Sequence, residues 1–272
     1  MVRALRGRRL LITGASSGIG RCLALAAGRR GAYVAVAARS ADKLEALAKE
    51  IAGHGGQAIA VAADVTCAED RWRLLERVQQ QYGGLDVLVN NAGAGSFGHF
   101  AESSEAVLRQ IMEVNFFAPA ELMRGALPML KQGEMPAIVN IASMCGRRAL
   151  PAWSEYSASK FALCGLSEAL RAELVRFGVD VLLILPGLTR TGLSSHLLRN
   201  QGRMRIDFTA GMEPELVAER ILMALEKNRS ETVLGREARM ILSLNRFLPR
   251  LVDRLMARKV RQLYAGEKEV TE

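Results

Sequence analysis

Apolar residues fall along this chain in two rhythms. Short runs, Leu10–Thr13, Tyr33–Ala38, Ala58–Ala62, Leu85–Asn90, Ala137–Ala142 and Val179–Leu185, are apolar at nearly every position. A strand apolar on both faces belongs in a sheet covered on both sides. Between them lie longer stretches with helical spacing: Ser40–Ala52, Ala68–Tyr82, Ser104–Leu130 and Ser154–Phe177. Ser103 or Ser104, followed by Glu105, reads as a helix start. The alternation predicts an α/β fold, a doubly wound parallel sheet of Rossmann-like form with right-handed crossovers. No linker divides it. We expect one domain over residues 1–235, with a substrate lid at 188–212, and a basic amphipathic helical extension over 236–272.

Composition narrows the class. With 272 residues and 50% apolar content the chain can bury one large core. No apolar run approaches the ~18 residues of a membrane span. The basic N-terminus runs straight into a Gly-rich turn, unlike a secretory leader. The expected setting is cytoplasmic, with peripheral membrane contact through 236–264 as an open addition. The four cysteines are scattered, which reads as free thiols, and the three histidines lack metal spacing, so no metal is expected. Net charge is +9, and Arg236 to Tyr264 alone carries eight basic residues against two acids. With no motif and no interleaved aromatics, that charge does not indicate nucleic-acid binding.

The first candidate site is Thr13-Gly14-Ala15-Ser16-Ser17-Gly18-Ile19-Gly20, between the first strand and a helix. Gly14 permits a tight turn, Gly18 close backbone approach to a pyrophosphate at the helix start, and Gly20 close packing of helix on strand. Asn90-Asn91-Ala92-Gly93 follows the fourth strand, Tyr156-Ser157-Ala158-Ser159-Lys160 opens a helix, and Pro186-Gly187 follows the sixth strand, with Thr189 and Thr191 just beyond. In this order the motifs resemble those of the short-chain dehydrogenase/reductase family over roughly Arg8 to Leu234. The resemblance implies an oxidoreductase moving hydride between a nicotinamide ring and a carbonyl or alcohol. Its cofactor contacts would be Gly14, Ser16, Ser17, Gly18, Ile19, Gly20, Arg39, Asp64, Val65, Asn91, Ala92, Gly93, Tyr156, Lys160, Pro186, Gly187, Thr189 and Thr191.

NADP(H) is the expected cofactor. An acid ending the second strand would hold the ribose hydroxyl of NAD, and here Ala38 and Arg39 stand there. An Arg fork pairs a 2′-phosphate; Lys43 offers a second charge. Asp64 has two readings, an adenine-edge contact by resemblance or a helix cap.

The expected catalytic set is Asn115, Ser143, Tyr156 and Lys160. Tyr156 and Lys160 lie one helical turn apart on one face. A phenol titrates near ~10, and lowering it by about 3 units takes about 4 kcal/mol of preference for the phenolate, which a nearby ammonium and the oxidised nicotinamide could share. Ser143, at the end of the fifth strand, would donate to the substrate oxygen. By resemblance Asn115 binds a water leading to the Lys. Met144, Cys145 and Trp153 are candidate pocket walls, Cys145 reading as packing rather than nucleophile.

The substrate remains open. Leu193, Leu197, Leu198, Met204, Ile206, Phe208 and Met212 in the lid favour a hydrophobic, lipid- or steroid-like ketone or aldehyde. Arg190, Arg199, Arg203 and Arg205 allow an alternative, a 3-oxoacyl thioester on a carrier or CoA. A non-catalytic nucleotide-binding scaffold would be expected to lack the Tyr or the Lys. The extension could face lipid, cover the substrate entrance or form a subunit contact, and by resemblance the chain is a homodimer or homotetramer.

Overall fold

The computed structural model describes residues 3–191, 197–203 and 207–265. Among them, seven strands form one wholly parallel sheet: β1 (Arg9–Thr13), β2 (Tyr33–Ala38), β3 (Gln57–Ala62), β4 (Val87–Asn90), β6 (Ala137–Ile141), β7 (Asp180–Pro186) and β9 (Glu231–Leu234). Their spatial order is β3-β2-β1-β4-β6-β7-β9. Two further strands, β5 (Gly95–Phe97) and β8 (Leu197–Asn200), pair apart from it. The helices are α1 (Gly18–Arg29), α2 (Ala41–Gly53), α3 (Ala68–Tyr82), α4 (Glu105–Met112), α5 (Ala118–Leu130), α6 (Ser154–Glu173), α7 (Pro214–Glu226), α8 (Arg236–Phe247) and α9 (Pro249–Leu263).

Side chains alternate across the sheet. Leu10 and Ile12 of β1 join one buried layer with Leu23 of α1, Leu47 of α2 and Ile221 of α7. Leu11, between them, joins the opposite layer with Leu74 of α3 and Leu122 and Ala126 of α5. Both layers are closed to water, as the doubly apolar strands require. Truncating one of these buried leucines to Ala should cost about 2–5 kcal/mol.

Three elements depart from the sequence expectation. The edge strand β9, with sequence ETVL, is polar at its start and only half buried, so it lacks the apolar signature of its neighbours. The helix expected over Ser104–Leu130 divides at a wider π turn, Glu113–Phe117. Pro119 accounts for this: it lacks the N–H that would close an ordinary helical turn on the Asn115 carbonyl. Within the lid, β8 pairs with β5 in parallel, Gly95 against Leu197 and Phe97 against Asn200. Thr189 bridges to Met212 at the lid's two ends. Leu193, Met204, Arg205 and Ile206 lie outside the described residues.

The extension packs on the body. Ala238 of α8 is buried, and a Cβ at Gly187 would come within 3.0 Å of its methyl. On α9, Val252 is buried, Asp253 pairs with Arg148 at 2.7 Å, and the Tyr264 hydroxyl just beyond meets the His99 ring. All four cysteines are free. Among the described residues no helix is long and apolar enough to cross a membrane, and no metal-binding group of His, Cys, Asp and Glu occurs.

Candidate active site

Strand order reverses between β1 and β4, whose carboxyl ends part to leave a crevice. The Gly-rich turn closes one side of it through backbone contacts. Gly14 has φ +65°, and a Cβ there would lie 2.7 Å from the Ala92 Cα. A Cβ on Gly20 would lie 2.4 Å from the Gly14 carbonyl oxygen. Asn91 fastens the turn to β4: its side-chain amide donates to the carbonyls of Thr13 (2.9 Å) and Gly14 (3.1 Å). The Thr13 hydroxyl accepts from the amides of Asn91 (3.0 Å) and Ala92 (3.1 Å). Helix α1 then starts with Ser17 as N-cap, its hydroxyl making no capping bond and no acid in the first turn. That leaves N–H groups and the positive helix end for an anion.

The crevice is a cleft of about 1440 Å³. Every expected cofactor residue lines it except Gly20, which shapes the turn from behind. Arg39 and Lys43 stand exposed on its wall, and Arg39 forms no ion pair among the described residues. Asp64 is not a helix cap: its carboxylate accepts from the Thr66 amide (2.9 Å) and hydroxyl (2.7 Å), while Cys67 holds the N-cap position of α3 without a side-chain capping bond. Burial works against its charge, but those two bonds and Arg39 hold the carboxyl below its usual range. An acid-free helix start beside the glycine turn and an exposed guanidinium with no ion pair among the described residues together suit an anionic dinucleotide.

The cleft continues to Ser143, Tyr156 and Lys160. Ser143 ends β6's extension and caps the short turn Met144–Gly146, its oxygen accepting from the Cys145 amide at 3.1 Å. Tyr156 lies in the first turn of α6, its ring 5.3 Å from that of Trp153. The Lys160 ammonium stands 5.7 Å from the Tyr156 ring centroid and donates to the Ile141 carbonyl at 3.2 Å. Burial, then the Cys145 thiol, push the Tyr156 phenol above its ordinary value, and a hydrogen bond with Ser143 opposes them. Burial pushes the Lys160 amine down to about 8. It pushes the Cys145 thiol up to about 11, which makes that group a packing residue at neutral pH.

Asn115 does not line the cleft. Its oxygen accepts from the Ala94 amide (2.9 Å), and its amide group donates to the Ala94 carbonyl (2.9 Å) and the Ser159 hydroxyl (3.0 Å). It therefore ties the Gly93–Ala94 loop to α6 beside Lys160. A second buried chain was not expected: Asn90 donates to Asn140 (2.8 Å) and Asn140 to Ser167 (2.9 Å), joining β4, β6 and α6 under the site. Such side chains need partners when buried, so polar residues inside apolar strands were the available signal. Ile241 and Glu237 of α8 and Lys259 of α9 also reach the cleft; in the sequence they were part of the extension, with entrance cover only one of its readings.

A Rossmann-like sheet with its cleft at the reversal point, a Gly-rich turn on one side and a Ser, Tyr and Lys on the other defines an oxidoreductase class. A family described as short chain dehydrogenase matches residues 8–202, and the chain belongs to that family. The ketoacyl reductase HetN of Nostoc sp. is 32% identical over 92% of this chain and 88% of its own length. The 3-ketodihydrosphingosine reductase of Bos taurus is 29% identical over 89% and 75%. The solved alcohol dehydrogenase of Thermococcus sibiricus, in complex with 5-hydroxy-NADP, superposes with TM-score 0.76 at 27% identity, covering 84% of this chain and 96% of that one.

Proposed function

We propose that this chain reduces a lipophilic ketone or aldehyde at the expense of NADPH, with Tyr156 as the proton donor. The observation carrying this reading is the single cleft that joins the Gly-rich turn and exposed Arg39 to Ser143, Tyr156 and Lys160. Arg39, in place of an acid at the end of β2, supports the phosphorylated dinucleotide. When bound, the cofactor supplies the hydride. Ser143 and Tyr156 hold the substrate oxygen, and Tyr156 passes its proton to that oxygen as negative charge grows there. A phenol is protonated at neutral pH, the form a reduction needs. Burial raises it further, so the lowering expected from Lys160 requires the charge of the oxidised nicotinamide as well. Lys160, one turn on, steadies the phenolate left behind. Asn115 is a positioning residue, and its carbonyl, deprived of the Pro119 N–H, is the candidate site for a relay water.

Leu150, Trp153, Leu198 and Ile241 give the far end of the cleft apolar walls, which supports a greasy substrate. Both relatives above are named for keto substrates. The carrier-thioester alternative needs free lid arginines, and two are engaged: Arg190 with Glu213, and Arg199 with Glu102 at 3.0 Å. Phe117 and Phe161 remain exposed beside α5 and on α6, which supports pairing of copies along those helices as a homodimer or homotetramer.

The test is NADPH oxidation against ketones and aldehydes graded in chain length, with NADH in parallel. We expect turnover to rise with chain length and to favour NADPH. Tyr156→Phe should lower kcat by about 10²–10⁴ while leaving dinucleotide affinity unchanged. Near-normal turnover in that variant would remove Tyr156 from its role.

A further inference from the structure

Helices α8 and α9 have an inner and an outer face. The inner face presents Ala238, Ile241 and Val252 to the body and reaches the cleft with Ile241 and Lys259. On the outer face of α8, helical spacing sets Met240 and Phe247 on one line, 65% and 76% exposed. Leu248 at the elbow and Leu251 and Leu255 on α9 are also exposed, so the apolar surface continues from one helix to the next. Arg250, Arg254 and Arg258 form the adjoining ridge of α9, all exposed. The acid of α9, Asp253, lies away from this ridge, paired with Arg148.

We propose that this elbow docks on an anionic lipid surface, with Phe247, Leu248 and Leu251 in the acyl boundary and the arginines among the headgroups. Exposed apolar side chains bordered by a ridge of one charge are the composition of an interfacial helix. A second copy of the chain fits less well, because a two-fold contact through this face would set arginines against arginines. Since the same two helices wall the cleft, docking brings the cleft's mouth to the bilayer. A lipid-borne ketone would then enter without crossing water, a consequence that rests on the function proposed above; the docking itself does not.

The experiment is co-sedimentation of the full chain with vesicles of phosphatidylcholine and phosphatidylglycerol, and with phosphatidylcholine alone, without substrate or dinucleotide. We expect pelleting with the anionic vesicles, weakened by salt. Arg250→Glu with Arg254→Glu should weaken it by about tenfold or more, and Phe247→Ser with Leu251→Ser should abolish it. Both variants alter solvent-facing positions and should keep turnover on a water-soluble ketone, which separates failure of docking from failure of the reductase reading. The charge-reversal pair carries the test by itself should the apolar pair fold poorly. Equal pelleting by wild type and variants, or equal pelleting on neutral and anionic vesicles, would overturn the proposal. So would light scattering that shows the variants dissociating an oligomer while vesicle binding stays unchanged, which would assign the face to a second copy.

Discussion

The Gly-rich turn and the C-terminal helix pair bound the same cleft at opposite ends, and they are held in place by different means. At the turn the close approaches involve backbone: Gly14 against Ala92, and Gly20 against the Gly14 carbonyl. At the helix pair, apart from the approach of Gly187 to Ala238, the contacts run through side chains, with Ala238 and Val252 buried among many exposed neighbours. A backbone contact admits one residue type, so the site appears as a fixed motif. A side-chain contact admits any group of suitable size, and it is specified by what packs opposite. The dinucleotide end is therefore rigidly prescribed, whereas the substrate end is free to vary.

Substitution at Gly20 is the strongest way to break this contrast. In Gly20→Ala the new methyl would overlap the Gly14 carbonyl and the Asn91 amide, at 2.4 and 2.5 Å, and neither can yield without opening the turn. We expect dinucleotide affinity, read by fluorescence titration, to fall by about a hundredfold, the upper part of the ~1–3 kcal/mol that overpacking a close contact costs. Gly165, on α6, has nothing within 4 Å of its Cβ position, and Gly165→Ala should bind normally. Equal binding by both variants would mean that backbone approach does not shape this end.

At the other end, Ile241→Ala should raise KM for a long-chain ketone by about tenfold, the worth of a few methylenes in an apolar pocket. Dinucleotide affinity should stay constant. A parallel loss of dinucleotide affinity would show that the two ends are mechanically coupled and would undo the comparison.

The same contrast explains what could be read from sequence. The six expected strands and the turn were legible because buried strands and obligatory glycines leave little choice of residue. The candidate residues Ser143, Tyr156 and Lys160 could be grouped from sequence because Ser143 follows a strand end and Tyr156 and Lys160 share the first two turns of α6, so topology brings them to one cleft. β9 was not, since an edge strand needs only one covered face and its Glu231 and Thr232 carry no apolar run. The break at Asn115 required knowing that Pro119 would fall inside a helix, where a missing N–H widens the turn. The place of Ile241 and Lys259 depended on how α8 and α9 turn onto the body, which amphipathic spacing does not specify.

Lys160 sits where the two ends meet, and its titration sharpens the comparison with the smallest effect. Burial lowers its amine from 10.5 to about 8, so the ammonium is complete below that pH and is lost above it. Dinucleotide affinity should therefore be flat below pH 8 and decline above it by about fivefold, the difference between a charged and a neutral hydrogen bond. Stability should move the other way. Between pH 8 and 10.5 the unfolded chain holds more protons at this lysine than the folded chain, so its contribution to stability rises with pH. Falling affinity without falling Tm thus separates the titration of Lys160 from alkaline unfolding. Cys145 and Cys164, both pushed up to about 11, do not titrate near 8 and cannot imitate it. Lys160→Met should flatten the affinity profile, and a decline of the same size in that variant would assign it to another group.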